Sequence, residues 1–213
     1  MIKNLIFDFG KVLVDYDFFH TIRKYFASEA DLQEFAQLFT SPEFLDRCDL
    51  EAEPFAEIIL DSRRKYPKFD YQLQKFYEEY PQFVTGEVPG MRALLQQLRS
   101  EGFHLYGLTN WCSMVHKVME NWDILTMLDG RIISSEEKLI KPDVAIFLRL
   151  CEKYNLKPEE CLFTDDKAIN VEGAKKAGMQ GIVFENAAQY EQELRAKLGN
   201  PAAIVSGCSM RDR

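Results

Sequence analysis

The chain has 213 residues, is 46% hydrophobic with 16 Phe and 9 Tyr, and carries a formal net charge of −8. This length suits one compact domain, or a domain with a sizeable insert, and the apolar content is enough for a substantial core. The negative charge argues against a nucleic-acid or anionic-membrane partner, because binding such polyanions needs clustered Lys and Arg. A small phosphorylated substrate stays open, since a bound cation can supply local positive charge.

Leu5, Ile6 and Phe7 form a short apolar run, long enough for a buried strand, and Asp8, Phe9 and Gly10 follow it directly. From Tyr16 to about Thr85 the pattern becomes helical, with apolar residues at Leu32, Phe35, Ala36 and Phe39, then at Phe55, Ile58, Ile59 and Ser62. Pro42, Pro54, Pro67 and Pro81 fall at helix starts or breaks. An all-helical insert of roughly four helices is expected, with no strand in it. Alternation of strand and helix then begins. The expected strands are His104–Leu108, Ile132-Ile133, Cys161–Phe163 and Gly181–Phe184. The expected helices are Met91–Ser100, Ser113–Asn121, Asp143–Tyr154 with Pro142 in its first turn, Ala168–Ala177 and Tyr190–Leu198.

Five strands separated by helices predict an α/β fold, a Rossmann-like parallel sheet with helices on both faces. The small all-helical unit is inserted after the first strand. The core takes residues 1–15 and 85–213, and the insert residues 16–84. The five cysteines, Cys48, Cys112, Cys151, Cys161 and Cys208, show no CxxC spacing and read as reduced thiols. No apolar run approaches the ~18 residues of a membrane span, and Asp8 and Lys11 interrupt any leader-like segment. A soluble, cytoplasmic protein with no membrane partner is expected, with a monomer as the default.

Strand C-termini share one edge of a parallel sheet, and ligands bind there. Asp8, Thr109-Asn110, Ser134-Ser135 and Asp165-Asp166 all fall at such ends. An ionised carboxylate at the mouth of a buried strand needs a partner or a cation. The set Asp8, Asp165 and Asp166 repels itself unless a divalent ion joins it, and oxygen-only ligands suit Mg2+. Thr109 and the backbone N–H groups after it can hold a phosphate. Lys141, just ahead of Pro142, is a suitable point charge for a phosphoryl oxygen. Taken singly, these residues also read as turn residues, helix caps and a solvated lysine.

Together they occur in an order that resembles the haloacid dehalogenase-like hydrolase superfamily. The matching stretches are Phe7-Asp8-Phe9-Gly10, Leu108-Thr109-Asn110, Lys141-Pro142-Asp143 and Phe163-Thr164-Asp165-Asp166, continued by Asn170-Val171-Glu172-Gly173-Ala174 and Ala177-Gly178. With its insert after the first strand, the chain is similar to the cap-one phosphatases. These include sugar-phosphate phosphatases and the N-terminal phosphatase domain of soluble epoxide hydrolases. The resemblance implies a Mg2+-dependent phosphatase acting on a small phosphorylated metabolite, such as a sugar phosphate. Asp8 would attack phosphorus and form an aspartyl phosphate. Mg2+ would be held by Asp8, the Gly10 carbonyl and Asp166, with Asp165 a second ligand or an outer acceptor. Thr109, the Asn110 backbone and Lys141 would bind the phosphoryl group.

One departure stands out. Phosphatases of the family usually carry a second Asp, the general acid, at the position of Gly10. Asp15 or Asp17 is a candidate replacement, and Lys11 is unusual beside Gly10. Trp111 is a candidate pocket wall or core aromatic, and Asp46, Arg47 and Asp49 are candidates to reach substrate from the insert. His20, His104 and His116 have no partners at catalytic spacing. Two alternatives remain: a metal-independent 2-haloacid dehalogenase, which would need an aromatic residue at position 10 and an arginine from the cap, and a non-catalytic ligand-binding member.

Overall fold

The computed structural model describes residues 1–199; Cys208 and the rest of the tail lie outside the described residues. Five parallel strands form the main sheet: β1 Asn4–Phe7, β4 His104–Thr109, β5 Gly130–Ile133, β6 Cys161–Asp165 and β7 Gln180–Val183, in the spatial order β5-β4-β1-β6-β7. The first strand is central because Leu5, Ile6 and Phe7 are all apolar and all fully buried, as a strand covered on both faces requires. Its side chains alternate between two cores. Leu5 and Phe7 pack with α6 (Met91–Ser100), α7 (Val115–Asn121) and α11 (Ala187–Lys197), while Ile6 packs with α9 (Val144–Tyr154) and α10 (Ala168–Lys176).

The register decides what meets at the sheet edge. Phe7 lies opposite Gly107 on one side and Thr164 on the other, so Asp8, Thr109 and Asp165 emerge at nearly the same level. The first core continues without a break into the helical insert through Phe35, Phe55, Phe76 and Phe83.

The insert contains five α-helices rather than four: α1 Phe18–Ile22, α2 Glu29–Phe39, α3 Pro42–Leu50, α4 Phe55–Lys65 and α5 Asp70–Glu78. Its ends also hold two strands that the pattern concealed. β2 (Val14–Tyr16) and β3 (Val84–Glu87) pair antiparallel across the neck of the insert, straddling the expected boundaries at 15/16 and 84/85. Runs of three or four residues carry no readable period. Pro142 is not in the first turn of α9. Asp143 is the N-cap, its carboxylate accepting from the Ala145 N–H at 2.9 Å, and Pro142 lies ahead of it. Ser134-Ser135 opens a short helix, α8 (Ser134–Glu137). None of the helices is long and apolar enough to cross a membrane among the described residues.

Candidate active site

Asp8 stands where β1 ends. Its backbone N–H donates to the Thr164 carbonyl at 2.9 Å, and its Oδ1 accepts from the Phe9 N–H at 2.7 Å. The same oxygen lies 2.9 Å from Lys141 Nζ. Lys141 is no surface lysine: its side chain is 1% exposed, and Nζ also donates to Asp165 Oδ2 at 2.6 Å and to the Leu108 carbonyl at 3.2 Å. Its three donors are thus spent on two carboxylates and one carbonyl at a sheet edge.

Asn110 has a part the sequence did not disclose. Its Oδ1 accepts from the Lys141 N–H at 2.8 Å and its Nδ2 donates to the Lys141 carbonyl at 3.1 Å. This double clasp ties the end of β4 to the Lys141 backbone. Gly173 on α10 packs against the same loop; a Cβ there would meet the Pro142 carbonyl oxygen at 2.5 Å, so only glycine permits the approach.

Asp165 is fully buried and well satisfied. Besides Lys141, it accepts from the Lys167 N–H at 2.9 Å and from Asn170 Nδ2 at 3.0 Å. Asn170 is a second functional residue that sequence reasoning quoted without giving it a role. Burial works to keep Asp165 protonated, but Lys141 and these donors outweigh it and hold the carboxyl below its ordinary range. Asp8 shows the opposite balance. Burial, with some repulsion from Asp165, pushes it up to about 6 against the pull of Lys141. Burial and Asp165 also raise Asp166. Lys141 would lose its proton to burial were Asp8 and Asp165 not beside it; together they lift it above its usual value.

This charge pattern fits a hard cation. One oxygen each of Asp8, Asp165 and Asp166 lies within 4.8 Å of the others, and the three carboxylates face one lysine. Asp165 has its acceptors filled by protein donors. Asp8 Oδ2 has no hydrogen bond from protein among the described residues, and Asp166 has no ion-pair partner among them. Asp8 and Asp166 are therefore the carboxylates with capacity for an oxygen-ligated ion such as Mg2+, and Asp165 fits an outer, orienting position.

A cavity of about 500 Å3 opens over this edge, and Asp8, Gly10, Thr109, Asn110, Lys141 and Asp166 all line it. Trp111 lines it too while remaining 7% exposed, so it is pocket wall and core aromatic at once. Asp46 and Asp49 reach the cavity from α3; Arg47 turns away to Glu53 and Asp61. Burial pushes Asp49 up to about 7, against the pull of Lys167 and Lys141. The end of α3 is clamped to the sheet edge. Ser134 Oγ donates to the Asp49 carbonyl at 2.6 Å, Ser113 Oγ donates to the Glu51 carboxylate at 2.7 Å, and Lys138 Nζ donates to the Glu51 carbonyl.

The residues expected to replace the missing acid do not reach the cavity. Asp15 is ion-paired with Lys11 and half-exposed, and Asp17 caps α1 by accepting the His20 N–H at 2.9 Å. Lys11 leans over the Tyr16 ring, 4.7 Å from its centroid, rather than toward Asp8. Tyr16 fills the space beside Gly10: a Cβ at position 10 would lie 2.7 Å from Tyr16 Cε1. None of the three histidines lines the cavity.

Residues 5–184 match the family model described as haloacid dehalogenase-like hydrolase. The chain belongs to the haloacid dehalogenase-like hydrolase family. Among curated relatives, the D-ribitol-5-phosphate phosphatase of Bacteroides thetaiotaomicron is 26% identical over 215 residues, covering 94% of this chain and 100% of that protein. The chloroplast flavin mononucleotide hydrolase 1 of Arabidopsis thaliana is 30% identical over 105 residues, covering 49% of this chain and 43% of that protein. The match thus spans less than half the length of the flavin mononucleotide hydrolase. A family enzyme of Bacteroides thetaiotaomicron, solved with magnesium and inorganic phosphate, superposes with a TM-score of 0.70 at 23% identity, covering 88% of this chain and 96% of that one. The fold of this haloacid dehalogenase-like hydrolase is therefore that of a solved relative.

Proposed function

We propose that the protein is a Mg2+-dependent phosphatase of small phosphorylated metabolites, working through an aspartyl phosphate on Asp8. The observation that carries this reading is the division of Asp8: Oδ1 is held by Lys141 and the Phe9 N–H, and Oδ2 is left without a protein partner beside Asp166. Asp8 attacks phosphorus, the P–O bond to the alcohol breaks, and water then attacks phosphorus to release phosphate and restore the carboxylate. Lys141 keeps Asp8 ionised and aimed. Thr109 and the backbone after it receive phosphoryl oxygens, with the Asn110 side chain fixing Lys141 rather than touching substrate. Asp8, the Gly10 carbonyl and Asp166 would hold Mg2+, which when bound offsets the negative charge of the phosphoryl group. The helical insert acts as the cap that keeps water from the chemistry.

The dehalogenase reading needs an arginine to hold a carboxylate, and among the described residues no arginine lines the cavity. Phosphate release from a panel of phosphorylated metabolites with Mg2+, set against a haloacid assay without metal, separates the readings. Turnover of haloacids alone would overturn the proposal, and so would a folded protein that turns over neither.

Of the two α3 carboxyls in the cavity, Asp49 is the one that feels Lys141 and Asp8 and whose backbone carbonyl is held by Ser134, so we assign it the acid step on the leaving group. Asp49→Asn should lower kcat for alkyl phosphates by ~100- to 10,000-fold while affecting p-nitrophenyl phosphate, whose leaving group needs no proton, far less. Equal losses on both would remove Asp49 from this role. Gly10→Asp alone should lower activity, because its Cβ must displace the Tyr16 ring. Adding Tyr16→Ser should recover part of the loss in the same assay.

A further inference from the structure

The floor of the cavity and its walls differ in chemistry. The floor is ionic, built by Asp8, Lys141 and Asp166. The walls come mostly from the cap and are aromatic: Phe18, Phe44, Phe55 and Phe76 line them, joined by Trp111 from the core. The polar side chains that the cap adds are few. Thr40, the two carboxylates of α3, Tyr16 and Tyr80 reach the cavity. A polyhydroxylated group in such a chamber would face mostly apolar wall and leave part of its hydroxyls unpartnered, which is unfavourable.

Much of this aromatic wall is also the cap's own core. Phe55 and Phe76 are nearly wholly buried, and their rings lie 6.4 Å apart. The rim needs a different explanation. Phe19 is 39% exposed, Leu45 36% and Ile169 65%, and these stand among the few large apolar side chains left open to water in the described residues. They come from α1, α3 and the first turn of α10, three separate parts of the chain, yet all three line this one cavity. Apolar side chains gathered at one opening mark a binding site. The volume of about 500 Å3 lies within the usual range for small-molecule pockets.

From this juxtaposition of an ionic floor with an apolar chamber and rim, we infer that the substrate is a phosphate monoester of an apolar or aromatic alcohol. This rests on the phosphatase reading and replaces the sugar suggested by resemblance with a hydrophobic group. The floor takes the phosphoryl end, the chamber takes the organic group, and the rim residues cover its outer face.

The test compares 2-phenylethyl phosphate with ribitol 5-phosphate, both esters of primary alcohols, and uses acetyl phosphate to report the phosphoryl-transfer chemistry by itself. The expected kcat/KM for 2-phenylethyl phosphate exceeds that for ribitol 5-phosphate by at least ~10-fold, the scale of hydrophobic discrimination in a pocket. Leu45→Asn and Ile169→Asn, both at exposed positions, should each shrink that preference several-fold, mainly by raising KM for the phenylethyl ester. Equal or reversed preference, with acetyl phosphate turned over, would overturn this inference and leave the phosphatase reading standing. Failure to hydrolyse acetyl phosphate by the folded protein would overturn both.

Discussion

Asp8→Asn abolishes phosphate release, with an expected loss in kcat of at least ~10,000-fold, the scale seen when a covalent nucleophile is removed. An amide has no lone pair basic enough to attack phosphorus, and neither Asp165 nor Asp166 can take over. Asp165 is engaged by Lys141, Asn170 and the Lys167 N–H, and Asp166 would be taken up by the proposed cation. The same substitution has an opposite effect on stability. The folded chain holds the Asp8 proton up to about pH 6, whereas an ordinary Asp releases it near 3.8. Between these values the native state binds more protons than the unfolded chain, so native stability falls as pH rises through that window. Asp8→Asn escapes that loss, and Lys141 keeps its pair with Asp165. In metal-free buffer above pH 6 the variant should be more stable than the parent by on the order of 1–3 kcal/mol, and the two should converge near pH 4. Thermal unfolding of both proteins in EDTA at pH 4.5 and pH 8 reads this directly. A variant less stable at pH 8 would contradict the unfavourable burial of ionised Asp8.

Lys141→Met should be the most damaging single change for the fold near the site. Taken singly in the sequence, Lys141 also reads as a solvated lysine, whose loss would spare the structure. Its burial overturns that expectation. Nζ lies between Asp8 and Asp165, and its loss leaves two buried carboxylates facing each other. Breaking a buried ionic cluster by removing one partner is unfavourable by about 3–5 kcal/mol. For a chain of this size the melting temperature should fall by roughly 10 °C. The deficit should shrink as pH falls, because the orphaned carboxylates take up protons. Asp165 titrates below its ordinary range in the parent, so the stability it lends is present above that range and fades in acid. Urea unfolding at pH 5 and pH 8 would check the pattern, and a pH-independent deficit would contradict it. Turnover by whatever folded variant remains should be lower by orders of magnitude.

The sheet and the positions of its strands were legible because they rest on strong local signals. Leu5-Ile6-Phe7 and Cys161-Leu162-Phe163 are apolar without interruption; Asp8 follows the first directly, and Asp165-Asp166 follows the second after Thr164. The chain positions of Asp8, Thr109 and Asp166 followed from the strand ends, since parallel order brings those ends together; Lys141, beyond α8, followed from the order of the motifs. What stayed hidden depended on contacts between distant segments. The clasp of Asn110 on Lys141 joins residues 31 positions apart, and the hold of Ser134 on the Asp49 carbonyl joins residues 85 apart. No periodicity encodes either. β2 and β3 escaped because short strands at the two ends of a 70-residue separation look like loops. Asp15 and Asp17 lie close to Asp8 in sequence, but Asp15 pairs with Lys11 and Asp17 caps α1, and neither lines the cavity. Asp46 and Asp49, far away in the chain, are the carboxyls that the fold brings to the cavity.

The central claim is metal-dependent phosphoryl transfer at the Asp8 edge. Phosphate release from p-nitrophenyl phosphate, measured in Mg2+, after EDTA and after Mg2+ is restored, tests it most directly. The expected result is turnover in Mg2+, its loss in EDTA, and its return with the ion. Turnover unchanged by EDTA, or none in Mg2+ from a protein shown to be folded, would contradict it.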